Sequence, residues 1–509
     1  MQITRKLIIT QTFWSAVAQI GVMGINLLVL PLFIKNLGAE LYGIWVLSGV
    51  VTGYLNVFDF GFTQGLQKYV AEARVKGDHK ELSEVVVTGT GLLLIIGLLL
   101  GVLFWAGAQP IVEFFNIQPE HQLIAKKLLQ ISAGFCVVMW PLRIVDVVLN
   151  ATMHIKELSF LNAFKTGVQS LVMLGMVWMV QDVVLIKWVT AALMAGCSVG
   201  GLMLTTKYVP EISWNLIHFK IQQLKRMHKF SLGMFYTALI LMFQSQIDPL
   251  IVAKYMTMAM ITSYVVASKL FMIVQKISSL AVGVLTPASY SVAASGDKNR
   301  LARLTEESVF FRCVLATFFS SIMFLVAPDF IFLWVGPEFH GVTLWARVYL
   351  LMCPFISLAN VSQIGKAAGE ICLVNKFITA EIILNVALSI ILVRWFGIGG
   401  PILGTVVSFF LAGAPVTTFV LLRKIRISSA ARLYRFVLPS VTIAYVIVAL
   451  LSYLPLGREP GWITFAIKVG LGMMFVGGGL AFLVDRHLRR SQQSGLIAMA
   501  SSILVRNGG

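Results

Sequence analysis

Apolar runs of membrane-crossing length alternate with short polar punctuation along almost the whole chain. A helix rising ~1.5 Å per residue needs about 20 apolar residues to cross ~30 Å of hydrocarbon. Fourteen runs meet that requirement. The first six are 13–34, 41–62, 85–106, 127–150, 161–181 and 183–206; the next six are 231–253, 257–285, 308–328, 343–366, 376–396 and 401–422; two more, 437–454 and 463–484, complete the set. Phe13 to Ile34 carries no ionisable residue, and Leu41 to Phe62 carries only Asp59. Between them, Lys35-Asn36-Leu37-Gly38-Ala39-Glu40 is too short and too polar to be more than a surface turn. The narrowest punctuation is Phe396-Gly397-Ile398-Gly399-Gly400-Pro401; fusing the runs on either side of it would put the basic tail Arg486, Arg489 and Arg490 outside.

An internal repeat runs through the first twelve spans. Pro31 recurs as Pro249, Gly77-Asp78 with Leu82 as Gly296-Asp297 with Leu301, and Pro110, Pro119 and Glu120 as Pro328, Pro337 and Glu338. After a short contraction, Pro141, Asn162 and Phe164 recur as Pro354, Asn375 and Phe377. Each copy holds an even number of spans, so both enter the membrane from the same side and are related by an axis along its normal. The expected fold is an all-α polytopic membrane protein of two six-helix lobes plus two extra C-terminal helices. Its parts are a lobe at 1–211, a cytoplasmic linker at 212–230, a lobe at 231–422, and two spans with a basic tail at 423–509. The linker is amphipathic, setting Ile212, Leu216, Phe219 and Leu224 against Lys220, Lys225, Arg226 and Lys229. Asp78 and Asp297 each follow a glycine and precede a helix-forming stretch, as N-caps do.

Composition narrows the class. With 58% hydrophobic and 12% charged residues, the chain is too apolar for a soluble enzyme. Its net charge of +18 is scattered at the ends of apolar runs, which speaks for membrane orientation and against nucleic acid. Most of the 40 Lys and Arg fall on the N-terminal side of the membrane when loops alternate, which places both termini in the cytoplasm. The first apolar run is too long for a signal peptide and reads as a retained span. The five cysteines lie within or at the ends of apolar runs without CxxC spacing, and the seven histidines show no HExxH. Neither enzyme nor metal or other cofactor is indicated.

Charge within a span costs about 2.5 to 3.5 kcal/mol, so each buried ion needs a cavity, a partner or a route to the interface. Arg312, Lys165 and Arg347 lie near span ends and read as snorkelling. Lys269 and Lys276, with Gln275 and Ser268, make a polar stripe on the eighth span, because seven residues return to the same helix face. The lysines are candidate seats for a diphosphate or acidic sugar, or else ion-pair partners of Asp248. Gln244 and Asp248 form an i, i+4 pair before Pro249, a candidate hinge or ion site. Arg143 and Asp146, i and i+3, either neutralise each other or line a cavity. Asp59 is either a gate or a turn residue.

Pro31, Leu37-Gly38, Tyr42-Gly43 and Asp59-Phe60-Gly61, closed by a loop with Gly77-Asp78, resemble the start of the polysaccharide transporters of the MATE-like flippase superfamily. These are the Wzx-type lipid-linked oligosaccharide flippases. The resemblance implies alternating access in the cytoplasmic membrane and an undecaprenyl-diphosphate-linked glycan as substrate. Membrane lipid is then the other partner, and a proton or sodium ion the candidate coupling ion. The first helix here is neutral, whereas lipid II flippases of the superfamily carry charge there. A multidrug or metabolite antiporter of the same superfamily is the alternative, although cationic drugs call for acidic walls. A membrane glycosyl polymerase or ligase would need a longer outer loop than any here.

Overall fold

The computed structural model describes residues 5–280, 297–425, 430–454 and 460–493, and every regular element among them is helical. The N-terminal half runs through α1 (Arg5–Leu37), α2 (Ala39–Tyr54), α3 (Phe62–Lys76), α4 (His79–Phe114), α5 (Pro119–Leu142), α6 (Ile144–Ala151), α7 (Ile155–Met179) and α8 (Val183–Tyr208). Two long helices follow, α9 (Ile221–Tyr255) and α10 (Met258–Leu280). The remainder comprises α11 (Lys298–Val335), α12 (Thr343–Met352), α13 (Ala359–Ala367), α14 (Ile371–Phe396), α15 (Gly399–Ala412), α16 (Ala414–Ile425), α17 (Ala430–Ser452) and α18 (Trp462–Gln493). Eleven described helical stretches are long and apolar enough to cross a membrane, each on a run read from the sequence. The other three runs fall on α1, α9, and α2 with the turn after it. Gly296 and the end of the eighth run, 281–285, lie outside the described residues.

The repeat is visible in local structure. Asp78 accepts a hydrogen bond from the Glu81 amide at 2.8 Å to cap α4, and Asp297 accepts from the Arg300 amide at 3.0 Å to cap α11. Such caps satisfy an amide that the first helical turn leaves orphaned. Pro110 and Pro328 sit inside those two helices, and Pro119 and Pro337 open the elements that follow. The split at Phe396 to Pro401 is real: α14 ends at Phe396, and Gly397 turns the chain with φ 57°.

Two sequence expectations change. The 41–62 run is not one helix, because α2 ends at Tyr54 and a 3-10 turn, Leu55–Asp59, follows. Phe60 (φ 49°) and Gly61 (φ 74°) then reverse the chain before α3. The 212–230 linker is not a separate surface helix either, since its second half forms the first turns of α9. Tertiary hydrogen bonds hold the segment against α3 and α4. The Ser213 amide donates to Ser83 Oγ at 2.9 Å, the Lys220 amide to Thr88 Oγ1 at 2.9 Å, and Gln223 Nε2 to Glu84 at 3.3 Å. Arg226 bridges Glu81 of α4 and Glu72 of α3 over the Tyr69 ring. The hydrogen bond to Glu81, then the charges of Glu81 and Glu72, push the Arg226 guanidinium above its ordinary value.

Packing divides the chain into two compact units, residues 14–262 and, chiefly, 263–509. In the first, Leu66, Val70, Leu82, Val86, Leu93, Trp140 and Val148 form a core joining α3 to α6, with Met227 of α9 added. Here α4 and α5 approach through glycines: a Cβ on Gly101 would lie 2.6 Å from Val137 Cγ2 and 3.1 Å from the Ala133 carbonyl. Gly101→Leu is therefore expected to lower the yield of folded protein, by overpacking of roughly 1 to 3 kcal/mol. Gly134→Leu, where nothing lies within 4 Å, is the control. Equal yields, read by fluorescence size-exclusion chromatography, would contradict this packing. In the second unit, Leu325 and Val326 of α11 share a core with Ala444 and Val448 of α17 and Val476 and Leu480 of α18.

Candidate functional site

Within the 14–262 unit the fourth span breaks where the sequence allows it. Pro141 deprives α5 of an intrahelical hydrogen bond, α5 ends at Leu142, and Arg143 is the junction to α6. Asp146 follows in the first turn of α6. Its charged neighbours are Lys165 of α7 and Arg143. Lys165 is only 6% exposed, so it does not snorkel as its sequence position suggested. The three charges cluster without closing a direct ion pair. The Arg143 guanidinium lies over the Trp140 ring, 4.9 Å from its centroid. One Arg143 Nη and one Asp146 Oδ are buried with no hydrogen-bond partner among the described residues. Two cations and one acid leave this cluster one positive charge in excess, with one donor atom and one acceptor atom unsatisfied. A net positive charge of this kind favours an anionic ligand over a cationic one.

Asp59 closes a turn: its Oδ1 accepts the Gly61 amide at 2.7 Å, where the chain passes through two left-handed residues. Asp248 is buried on α9, with Tyr54 of α2 as an electrostatic neighbour, and Pro249 follows inside the continuous helix. The Tyr54 ring stands edge-on to Phe243 at 5.8 Å, so α2 and α9 pack beside this acid. Gln244, one turn earlier, is exposed, and the two residues do not share an environment.

In the other unit, α10 carries the lysine stripe. Lys269 and Gln275 are half-buried, Ser268 is buried and Lys276 is exposed. Within its own unit neither lysine pairs with a described acid. The stripe is flanked by aromatic packing in which Phe271 stacks on Tyr349 at 4.9 Å and Tyr264 shares a 3.0 Å hydroxyl hydrogen bond with it. Arg312 donates to Asn360 Oδ1 at 2.6 Å, and Arg347 Nε to the Phe324 carbonyl at 3.0 Å.

Sequence reasoning missed two charged contacts. Lys187 of α8 lies over the Trp45 ring at 4.9 Å and reaches Ser48 Oγ at 3.4 Å. Lys468 of α18 pairs at 2.8 Å with Asp329, which is 4% exposed at the far end of α11. The signal was present, since both lysines fall inside apolar runs and each needs a polar partner. At the starts of α2 and α5, His121 Nε2 lies 2.9 Å from Glu40 and 3.8 Å from Glu120. Their ligand atoms lie within 4.8 Å of one another, close enough for a metal. The direct His121–Glu40 contact already links the two helix starts.

The sequence profile of a family described as polysaccharide biosynthesis protein matches residues 37–343. The chain belongs to this family. No curated protein sequence matches it. Among solved structures, the lipid II flippase MurJ in an inward closed conformation is similar at a TM-score of 0.75 and 14% identity, over 94% of this chain and 99% of that one. An inward-facing multidrug resistance MATE family transporter of the MOP superfamily follows at 0.63 and 14%, over 83% and 98%. The Vibrio cholerae MATE transporter VcmN gives 0.60 and 13%, over 82% and 97%. At such identities the likeness establishes the fold. This family member is a multi-pass membrane protein whose fold is like those of MurJ and the MATE transporters.

Proposed function

We propose that the protein flips an undecaprenyl-diphosphate-linked oligosaccharide, an O-antigen or exopolysaccharide repeat unit, from the inner to the outer leaflet of the cytoplasmic membrane. Two six-helix lobes alternate access, with fourteen spans and both termini in the cytoplasm. The observation that supports this reading is the cluster of buried Lys165 with half-buried Arg143 and Asp146, whose excess positive charge suits a diphosphate. Membership of a polysaccharide biosynthesis family gives the class of cargo. Lys269, Lys276 and Gln275 are the second cationic seat, with Asp248 beside Tyr54 as the ion-coupling or gating acid. A drug antiporter for cations is the weaker reading, because this cluster carries more cation than acid.

The lysine stripe gives a direct test. Lys269→Gln and Lys276→Gln are expected to reduce glycan export without lowering protein abundance, whereas Lys269→Arg and Lys276→Arg retain part of the activity. If Lys269 instead serves Asp248 as a structural partner, Lys269→Gln lowers abundance and the double Lys269→Gln, Asp248→Asn change recovers it. Surface glycan and membrane protein measured together separate the outcomes. Normal export in both Gln variants would remove the stripe from the substrate path.

A further inference from the structure

The two C-terminal helices build a cavity that the transport reading does not use. At one end of α11, α17 and α18, a pocket of about 270 Å³ is lined by Arg435, Arg486, His487, Phe310, Phe436 and Ser440. The His487 ring stacks on Phe310 with centroids 4.0 Å apart and meets Phe436 edge-on at 5.0 Å, which fixes the aromatic floor. Of the acids near the pocket in sequence, Glu306 pairs with Arg432 at 3.3 Å, Asp485 pairs with Arg489 at 2.8 Å, and Glu307 has Arg303 as its cationic neighbour. Arg435 and Arg486 pair with no described acid and are exposed. One helical turn deeper, a mostly apolar groove of about 450 Å³ runs between α11 and α18 over Val314, Phe318, Gly477, Leu480 and Ala481, with the Arg489-paired Asp485 also in its wall. Phe310 and Val314, like Leu483 and Val484, join pocket to groove along the two helices.

A doubly cationic mouth opening onto an apolar channel is complementary to a molecule with an anionic head and a hydrocarbon tail. The distribution of Lys and Arg along the chain puts this end of the helices on the cytoplasmic side, where anionic lipids concentrate. The walls come largely from helices outside the internal repeat. Only 17% of the apolar window of α18 is buried, so the described residues leave most of that helix uncovered. We propose that pocket and groove hold one anionic glycerophospholipid of the surrounding membrane, with its phosphate between Arg435 and Arg486 and an acyl chain along α11 and α18. The site is a resident-lipid site, separate from the transported glycan.

The test is native mass spectrometry of the full-length protein in detergent. It would be titrated with phosphatidylglycerol or with phosphatidylcholine carrying the same acyl chains. The wild type is expected to retain phosphatidylglycerol preferentially, and Arg435→Gln with Arg486→Gln to bind it roughly 10- to 30-fold more weakly, with phosphatidylcholine unchanged. Gly477→Leu fills the groove without touching a charge and should weaken phosphatidylglycerol binding with both arginines in place. A thermal melt accompanies each variant, so loss of fold is distinguished from loss of binding. Equal retention of both lipids by the wild type, or unaltered phosphatidylglycerol binding in the double arginine variant, would overturn the proposal. So would displacement of the bound lipid by undecaprenyl diphosphate in the wild type but not in the arginine variant, since the site would then belong to the substrate.

Discussion

Lys165→Met is expected to cut glycan export roughly tenfold or more while leaving the amount of protein in the membrane close to wild type. Lys165 is the buried cation of the cluster and supplies its excess positive charge, and a charged hydrogen bond to a diphosphate oxygen is worth about 1.5 to 3 kcal/mol. Removing it leaves Arg143 and Asp146 as charged neighbours of opposite sign, a combination the unit can hold. The reverse change behaves differently. Asp146→Asn leaves two neighbouring cations, one of them buried, without counter-charge, which is costly even with no direct ion pair to break. Abundance of Asp146→Asn should therefore fall, and adding Lys165→Met should restore it without restoring export. Immunoblots of membranes beside surface-glycan staining read both quantities. Full export by Lys165→Met at normal abundance would show that the cluster is only structural.

A large loss of stability is expected at the last helix. Lys468 of α18 forms its ion pair with Asp329 of α11 where Asp329 is almost wholly buried. Asp329→Asn leaves the ammonium facing a neutral amide in a site of low polarity, and breaking one side of a buried pair costs about 3 to 5 kcal/mol. Tyr445 of α17 adds hydrogen bonds to Ser320 and to the Leu350 carbonyl, each 3.2 Å, but these do not neutralise Lys468. The single variant should melt well below wild type in detergent. Asp329→Asn combined with Lys468→Met should recover part of the difference, because the ammonium is gone while Arg347, the other cation beside Asp329, still lacks its counter-charge. A double variant no more stable than the single one would mean that the pair does not fasten α18.

Much of this architecture is legible in the sequence because it is local. Apolar runs announce helices by length alone, and the caps at Asp78 and Asp297 depend on a few adjacent residues. The break at Gly397 follows from its own dihedral angle. What escaped is tertiary. The 41–62 run gives no hydropathy signal for the reversal at Phe60 and Gly61, which Asp59 secures by a hydrogen bond two residues on. The 212–230 segment has the amphipathic signature of a surface helix. Its partners Ser83, Thr88 and Glu84 lie far earlier in the chain, and only folding brings them to it. Lys165 looked like a span-end lysine because distance from the end of a run does not say which face of the helix is covered. Pairing of Lys468 with Asp329 was hidden for a similar reason: an unmatched charge within a run shows that a partner is needed but not which residue it is.

The central claim, that this chain carries a complete lipid-linked glycan across the membrane, is tested most directly by deleting its gene and extracting diphosphate-linked lipids. The expected result is accumulation of the finished repeat unit on its undecaprenyl carrier, facing the cytoplasm and absent from the outer leaflet. Complementation with the wild-type chain, but not with Lys165→Met, should clear it. Unchanged levels and sidedness of that intermediate, with increased sensitivity to cationic drugs as the sole phenotype, would contradict the account.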